Sequence, residues 1–296
     1  MTLASTSITV QPAAPAMRTR GALQTLAKVW RHRLGRFGLL VLGLLAVCAM
    51  AAPVISPFDP TAIDYEAILL PPDASYWFGT DELGRDILSR IIYGSTTSLQ
   101  VMVLSIAASL AVGIVIGLSA GYFGGWYDDV VMRVMDGLLA FPMIILALAI
   151  IAVLGPDLFN AIIAIAIVNA PGFARLVRGQ VLTVRESEFV QAARAIGMGD
   201  ARILRRHVWP SVRGNVLVYA SLKSSAALIT ESALSFLGLG VQPPAPTWGS
   251  MLSTSMQYWD AWWMGVFPGL AIFLTVLALN FVGDALRDAL DVRLGD

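Results

Sequence analysis

The residues that could do chemistry are few and far apart in this 296-residue sequence. Its two histidines, His32 and His207, cannot form an H-x-x-x-H pair, and neither G-x-S-x-G nor G-x-x-x-x-G-K-[ST] occurs. Cys48 is the single cysteine, which excludes a disulfide within the chain and a cysteine-based metal site. The sequence therefore predicts neither a hydrolase nor an ATPase within this chain.

Glu231 is the ionisable residue most suggestive of a function, because it lies in an otherwise apolar stretch. An ionisable side chain inside a membrane is costly and points to a transport pathway or a gate. Ser232 and Ser235 could instead satisfy a protonated glutamate inside a helix bundle. Asn169, two residues before Pro171, is a second polar point that fits either a pathway or a kinked, packed helix. Both interpretations stay open for Glu231, Asn169 and Ser235.

The composition indicates what must position these residues. Soluble domains carry about 25% charged residues. This chain has 14% charged and 57% hydrophobic residues and a mean hydropathy of +0.72. It is predicted to be an all-α polytopic membrane protein, and its zero net charge gives no reason to expect nucleic acid as a partner.

Six apolar runs predict six transmembrane helices, since about 20 residues cross a bilayer as a helix. The first run follows a basic flank and could be a signal peptide, but we favour an uncleaved span because it is long and more spans follow. Phe141-Pro142 should kink the third span. The runs cover about residues 37–55, 99–123, 130–154, 158–177, 216–239 and 264–282.

Charge asymmetry predicts the orientation. The loop 57–93 carries seven acidic residues against two basic ones, whereas the segments 18–36 and 175–213 are rich in arginine. By the positive-inside rule, the acidic loop faces out and both termini lie in the cytoplasm.

A polar island at 188–210, between the fourth and fifth spans, predicts two short helices. Phe189, Ala192, Ala193 and Ile196 fall at i, i+3, i+4 and i+7, which gives the first helix one apolar face. Gly197 should supply the turn after it. A small amphipathic helical pair outside the bilayer is suited to docking into another protein.

The second helix of the island should begin after Asp200, a plausible N-cap, and end at Pro210. The island contains Gln191-Ala192-Ala193, Gly197, His207 and Pro210. In these residues it resembles the cytoplasmic "EAA" loop of permease subunits of bacterial ABC importers. Gln191 stands where the family usually has Glu, which removes a charge but keeps the length and the hydrogen bonding.

A second motif lies in the acidic loop. Asp81, Gly84, Arg85 and Asp86 belong to a G-T-D-x-x-G-R-D segment that resembles the dipeptide/oligopeptide branch of these permeases, in particular the second, "C-type" subunit. The residues after Asp86 suggest a short helix lying on the outer membrane surface. An Arg85–Asp pair could simply brace the loop. Segments 231–249 and 283–291 also resemble this family.

The resemblance implies a type I ABC importer permease fold and a place in the bacterial inner membrane. It implies a heterodimer with a homologous permease, two ATP-binding subunits, and a periplasmic or lipid-anchored solute-binding protein. The chain itself would bind no cofactor or metal and would not be an enzyme, with ATP and Mg held by the ATPases. The resemblance further implies that one set of residues couples ATPase closure to ATP-driven import of peptides or similar small solutes. This set is Phe189, Gln191, Ala192, Ala193, Gly197, His207 and Pro210.

We divide the chain into a basic cytoplasmic segment 1–36, a first span with outer loop 37–96, a permease core 97–285 containing the coupling loop 178–213, and a tail 286–296. Gly197→Val and Ala193→Asp should uncouple transport without blocking membrane insertion. The alternative function is an ion-coupled secondary transporter or channel that uses Glu231.

Overall fold

The computed structural model describes residues 22–290, and their regular structure is helical. An all-α fold is therefore confirmed for this part of the chain. Residues 1–21, most of the predicted basic segment, and 291–296, the end of the predicted tail, lie outside the described residues. The helices are α1 (Ala22–Arg31), α2 (Arg33–Ile55), α3 (Ile87–Phe123), α4 (Gly125–Leu139), α5 (Met143–Leu154), α6 (Leu158–Arg185), α7 (Glu188–Ala195), α8 (Asp200–Ile203), α9 (Trp209–Phe236), α10 (Trp248–Ser255) and α11 (Trp263–Leu290).

Four of these helices, α2, α3, α6 and α11, are long and apolar enough to cross a membrane, and α4 with α5 makes a fifth span if the bent pair is counted as one. The remaining long helix, α9, has 28 residues but is less apolar than these four. The count of six spans and the cytoplasmic position of both termini therefore stay predictions.

The helix α3 corrects the expectation of a separate surface helix after Asp86. It runs unbroken for 37 residues from Ile87, whose side chain is 1% exposed, through the second predicted span. Asp86 caps its first turn by accepting from the amide of Ser89 at 2.7 Å. The segment after Asp86 is thus the buried start of a long helix. Both α3 and α11 also continue through the proposed boundaries at 96/97 and 285/286, and that division stays a prediction.

The third predicted span is broken and not merely kinked. Helix α4 ends at Leu139, Pro142 has an extended backbone (φ −55°, ψ 131°), and α5 leaves at 94° to α4. Proline lacks the amide hydrogen that an unbroken helix would use, and it disfavours helical backbone in the residue before it.

The core is built on α3 lying against α6. Gly113, Gly117 and Gly121 on α3 leave no room for a Cβ, because Phe173, Ala174 and Val181 of α6 occupy that space. The four-residue glycine spacing keeps the two helices in close contact over two turns. Their pairing is parallel, since Gly113 meets Ala170 and Phe173 while Gly121 meets Arg178 and Val181.

Helix α11 packs antiparallel to α9, as the contacts of Asn280 with Ser225 and of Gly283 with Leu222 show. Because α9 starts at the 178–213 loop, the C-terminal part of α11 points towards that loop. Val29 of α1 packs on Ala285 and Ala289 of α11. We call this side of the bundle the loop end.

Candidate functional site

Helix α7 presents an apolar stripe outward from the loop end. Phe189 is 48% and Ile196 is 78% exposed, and Ala192 between them is also exposed. Val190 and Ala193 point inward and are buried. The predicted apolar face, which could pack on a partner or on the permease itself, is thus divided: Ala193 packs on the permease, whereas the other three residues are exposed. Phe189, Ala192 and Ile196, at i, i+3 and i+7, form what we call the docking stripe.

Gly197 ends α7 as predicted, with φ +78°. Its amide donates to the carbonyl of Arg194 at 2.9 Å, and the amide of Met198 donates to the carbonyl of Ala193 at 3.0 Å. These two hydrogen bonds form a Schellman motif, in which a helix ends at a residue with a left-handed backbone conformation. A Cβ at Gly197 would meet nothing within 4 Å, so glycine is required here by the backbone conformation and not by space.

The second helix of the island differs from the prediction at both ends. Gly199, not Asp200, is the N-cap of α8, and Asp200 lies in the first turn. Pro210 does not end a helix, because it lies in the first turn of α9, where a missing amide hydrogen is tolerated. A π-helical turn, Leu204–Val208, joins α8 to α9, with the amide of Trp209 donating to the carbonyl of Leu204.

The island is fastened to the bundle through α3 and α6. The hydroxyl of Tyr122, at the end of α3, donates to Oδ1 of Asp200 at 2.7 Å. The guanidinium of Arg194 lies 4.9 Å from the centre of the Tyr122 ring, within the range of a cation–π interaction. The buried apolar residues of the island complete the contact by packing on Val177 and Val181 of α6. These island residues are Val190, Ala193, Ile203 and Val208.

The other two residues of the EAA-like motif are partly engaged within the loop. The side-chain amide of Gln191 donates to the carbonyl of Glu186 at 3.1 Å and remains exposed. The ring of His207 lies 6.3 Å from that of Phe189, and its Nε2 is buried without a hydrogen-bond partner among residues 22–290.

At the opposite end of the bundle, Asp81 is the centre of a buried charge network. Its carboxylate accepts from the amides of Leu83 and Arg85 at 2.9 and 3.0 Å and from Nε of Arg85 at 2.7 Å. Nε of Arg90, on α3, lies 3.3 Å from the same carboxylate. Arg85 also binds Glu82 at 2.7 Å, and burial, with the nearby Asp81 charge, raises the pKa of the Glu82 carboxyl.

The rest of this motif holds the outer loop against the bundle. Gly84 has φ +74°, and a Cβ there would collide with the carbonyl of Asp64. The indole Nε1 of Trp263, at the start of α11, donates to the carbonyl of Thr80 at 3.0 Å. These contacts favour the bracing interpretation of Asp81, Gly84, Arg85 and Asp86.

Glu231 is 1% exposed inside the bundle. The hydroxyl of Ser235 donates to its Oε1 at 2.9 Å, and that of Ser232 donates to Oε2 at 3.3 Å. The carboxyl group is therefore satisfied by serine hydroxyls, as one of the two interpretations requires. A role in the pathway or in gating stays a prediction.

Comparison with known proteins decides the family. Residues 113–296 match the model for the "binding-protein-dependent transport system inner membrane component", and residues 24–72 match the "N-terminal TM domain of oligopeptide transport permease C". This chain belongs to the binding-protein-dependent transport permeases. It is a multi-pass protein of the bacterial inner membrane and an oligopeptide-type C subunit.

Relatives of this permease align over most of its length. The dipeptide transport system permease DppC of Alkalihalophilus pseudofirmus is 45% identical over 89% of this chain and 87% of its own. The di/tripeptide permease DppC of Pseudomonas aeruginosa is 44% identical over 91% and 92%. The glutathione permease GsiD of Pectobacterium atrosepticum is 41% identical over 95% of both chains.

A solved structure supports the importer fold. An inward-facing form of the MetNI methionine ABC transporter aligns with a TM-score of 0.57 and 18% identity, over 68% of this permease and 97% of that chain. At this identity the likeness shows the fold alone. The part of the permease outside the alignment is about a third.

Asn169 does not join the Glu231 cluster. It is 2% exposed, its side-chain amide donates to the carbonyl of Ile165 at 2.9 Å, and its Oδ1 has no partner in the described part of the chain. Gly172, nearby on α6, faces Tyr219 of α9. Among the described residues, Asn169 therefore shares no hydrogen bond with Glu231 or Ser235.

Two ion pairs that sequence reasoning missed connect α4 to α6 at the loop end. Arg178 donates to the Asp128 carboxylate from Nε and from one Nη, each at 2.6 Å, and Asp128 is 5% exposed. Arg175 pairs with Asp136, and both of these side chains are more than half exposed. The available signal was only that Asp128 and Asp136 lie near the start of the third predicted span and that both arginines lie in the basic segment 175–213.

Proposed function

We propose that this permease forms half of the translocation pathway of an ATP-driven importer of peptides or similar small solutes, and that the docking stripe seats in a partner ATPase. The observation that carries the docking proposal is the exposure of Phe189, Ala192 and Ile196 on a helix whose other face is fixed to the bundle. An exposed apolar stripe on an otherwise polar loop is the usual mark of a protein interface.

The stripe suits a groove in another protein because it is short and helical. Three apolar side chains at i, i+3 and i+7 are the anchors of helix-in-groove recognition. Basic residues surround the stripe and would steer the loop towards an acidic partner surface. They are Arg194, Arg202, Arg205 and Arg206, all exposed.

Transmission of movement follows from how the island is attached. Because α7 and α8 are bound to both α3 and α6, a displacement of the docking stripe would move these helices with it. We infer that ATPase closure shifts the permease between inward-facing and outward-facing states. A partner that binds one state better than the other supplies the bias for such a two-state shift.

The solute class rests on the relatives. Permeases at 41–45% identity are named for dipeptide, di/tripeptide and glutathione transport. We propose a peptide-like solute for this permease as well. The remaining partners are proposed to be a homologous second permease, two ATPases that hold ATP and Mg, and a solute-binding protein outside the membrane.

The ion-coupled alternative built on Glu231 is not favoured, since the chain belongs to a binding-protein-dependent family. The burial of Glu231 among serine hydroxyls gives it a structural explanation as well.

Uptake by the reconstituted complex tests this function. The chain is purified with its neighbouring permease and ATPase gene products, inserted into liposomes and supplied with binding protein and a labelled dipeptide. We expect uptake that requires ATP hydrolysis and persists with a proton uncoupler. Uptake that the uncoupler abolishes while ATP is present would contradict the proposal and support the Glu231 alternative.

A further inference from the structure

Helix α1 has two faces of opposite character. Leu26, Val29 and Trp30 fall at i, i+3 and i+4 and define an apolar face. Lys28 and Arg31 lie on the other side of the helix and are exposed. Val29 is 3% exposed because it packs on α11, but Leu26 and Trp30 remain 52% and 47% exposed. The described part of the protein thus leaves much of this apolar face uncovered.

The apolar helix α2, which is long enough to cross a membrane, begins two residues after the end of α1. His32 has an extended backbone (φ −73°, ψ 125°), so the chain turns there, and the membrane-spanning α2 begins at Arg33. Gly35 allows this fold, because a Cβ there would lie 2.6 Å from the carbonyl oxygen of Val29 and from Cβ of Ala285. Helix α1 is therefore held within a few residues of the bilayer surface.

The charges around α1 have one sign. Residues 22–58 contain no acidic residue. Four basic residues here are exposed, and none of them pairs with a carboxylate within residues 22–290. They are Lys28, Arg31, Arg33 and Arg36. Arg33 and Arg36 also lie at the start of α2, where the helix dipole disfavours positive charge. An external anion would satisfy these groups.

We propose that α1 is an interfacial helix that binds anionic phospholipid at the loop end of the permease. Leu26 and Trp30 enter the boundary between headgroups and acyl chains, and Lys28 and Arg31 contact the phosphates from the opposite face. An apolar face opposite a basic face is the pattern of helices that lie in the membrane surface. A lipid fits better than a protein, because the exposed apolar residues of α1 continue into those of α2, Leu34 and Phe37.

The test titrates the purified full-length chain, in mild detergent, with phosphatidylglycerol or phosphatidylcholine and counts bound lipid by native mass spectrometry. We expect tighter binding of phosphatidylglycerol. Lys28→Gln/Arg31→Gln should weaken that binding about thirtyfold, given the strength of attraction between each of these two basic residues and an anionic surface. This variant keeps Arg33 and Arg36 beside the span, which preserves insertion under the positive-inside rule.

Arg202→Gln/Arg205→Gln is the matched control, because it removes the same charge from two exposed residues outside α1. It should bind phosphatidylglycerol like the unaltered chain. Leu26→Gln/Trp30→Gln should weaken binding without changing charge. Equal affinity for the two lipids, an equal loss in the control, or unchanged binding in Lys28→Gln/Arg31→Gln would overturn the proposal.

Discussion

Gly197 and Gly84 both adopt a positive φ, yet each constrains the permease differently. Gly197 stands in open space, so a side chain there costs only backbone strain. Gly84 faces the carbonyl of Asp64, so a side chain there adds a collision to the strain. One residue sets the angle between two short helices, and the other allows a loop to close on itself.

Gly197→Val should impair transport while the chain still inserts into the membrane. A β-branched residue in the left-handed region costs about 1–2 kcal/mol, which favours another turn and misdirects the docking stripe. We expect uptake to fall roughly tenfold, since 1.4 kcal/mol is a factor of ten. Gly199→Val is the control, because Gly199 has φ −64° and open space. Equal uptake by both variants would show that the turn conformation is unimportant.

Gly84→Ala should destabilise the outer loop more than Gly155→Ala does. Gly155 has φ +89° but nothing within 4 Å of a Cβ, so the comparison isolates the collision with Asp64. We expect an additional loss of about 1–3 kcal/mol, typical of overpacking. Thermal unfolding in detergent and proteolysis of the loop 57–86 measure it. Matching melting temperatures would contradict this account of the motif.

At the scale of elements, the contacts that attach the island 188–210 to the bundle were the hardest to foresee. Hydrophobic runs located α2, α6 and α11 well, and the 188–197 pattern located α7 and its glycine turn. The period alone could not say that Ala193 faces inward, because an alanine is compatible with either face. Nothing in the sequence paired Tyr122 with Asp200, which are 78 residues apart. Pro210 was misassigned because a proline fits both the end and the first turn of a helix.

Tyr122→Phe should weaken the attachment of the island 188–210 to the bundle without disturbing α3. It removes the hydroxyl that binds Asp200 but keeps the ring under Arg194. Losing this bond should cost about 1 kcal/mol, so amide hydrogen exchange in α8 should quicken roughly fivefold. Tyr127→Phe is the control, since its hydroxyl lies 3.0 Å from Ser119 and not on the loop. Unchanged exchange in Tyr122→Phe would remove Tyr122 from the attachment.

The two α4–α6 ion pairs should differ in strength. Asp128→Asn breaks a pair whose aspartate side chain is 7% exposed, whereas Asp136→Asn breaks one in which both side chains are more than half exposed. We expect a loss of about 1–2 kcal/mol for the first, because Arg178, whose side chain is 32% exposed, loses two hydrogen bonds to a buried carboxylate. The second should cost less than about 0.5 kcal/mol, as exposed pairs do. Melting temperatures of the two variants in detergent decide; a larger loss in Asp136→Asn would contradict this ranking.

At the scale of the whole molecule, the permease separates its tasks between two ends. One end carries the loop 57–86, which is braced by buried charges, and the loop end carries the docking stripe and the basic helix α1. The parallel contact of α3 with α6 connects these two ends, and both helices contact the island 188–210. Composition and motifs predicted this division, but the 94° break between α4 and α5 required the structure.

Co-purification of the ATPases tests the central claim most directly. The chain is expressed with its neighbouring permease and ATPase genes and isolated through a tag, as the unaltered form, Ala192→Asp and Ala195→Asp. Both alanines are exposed on α7, but only Ala192 belongs to the docking stripe, and Ala193→Asp is avoided because Ala193 is buried. The account predicts that the ATPases accompany the unaltered chain and Ala195→Asp and are lost from Ala192→Asp. Full retention by Ala192→Asp, or no association in any form, would contradict it.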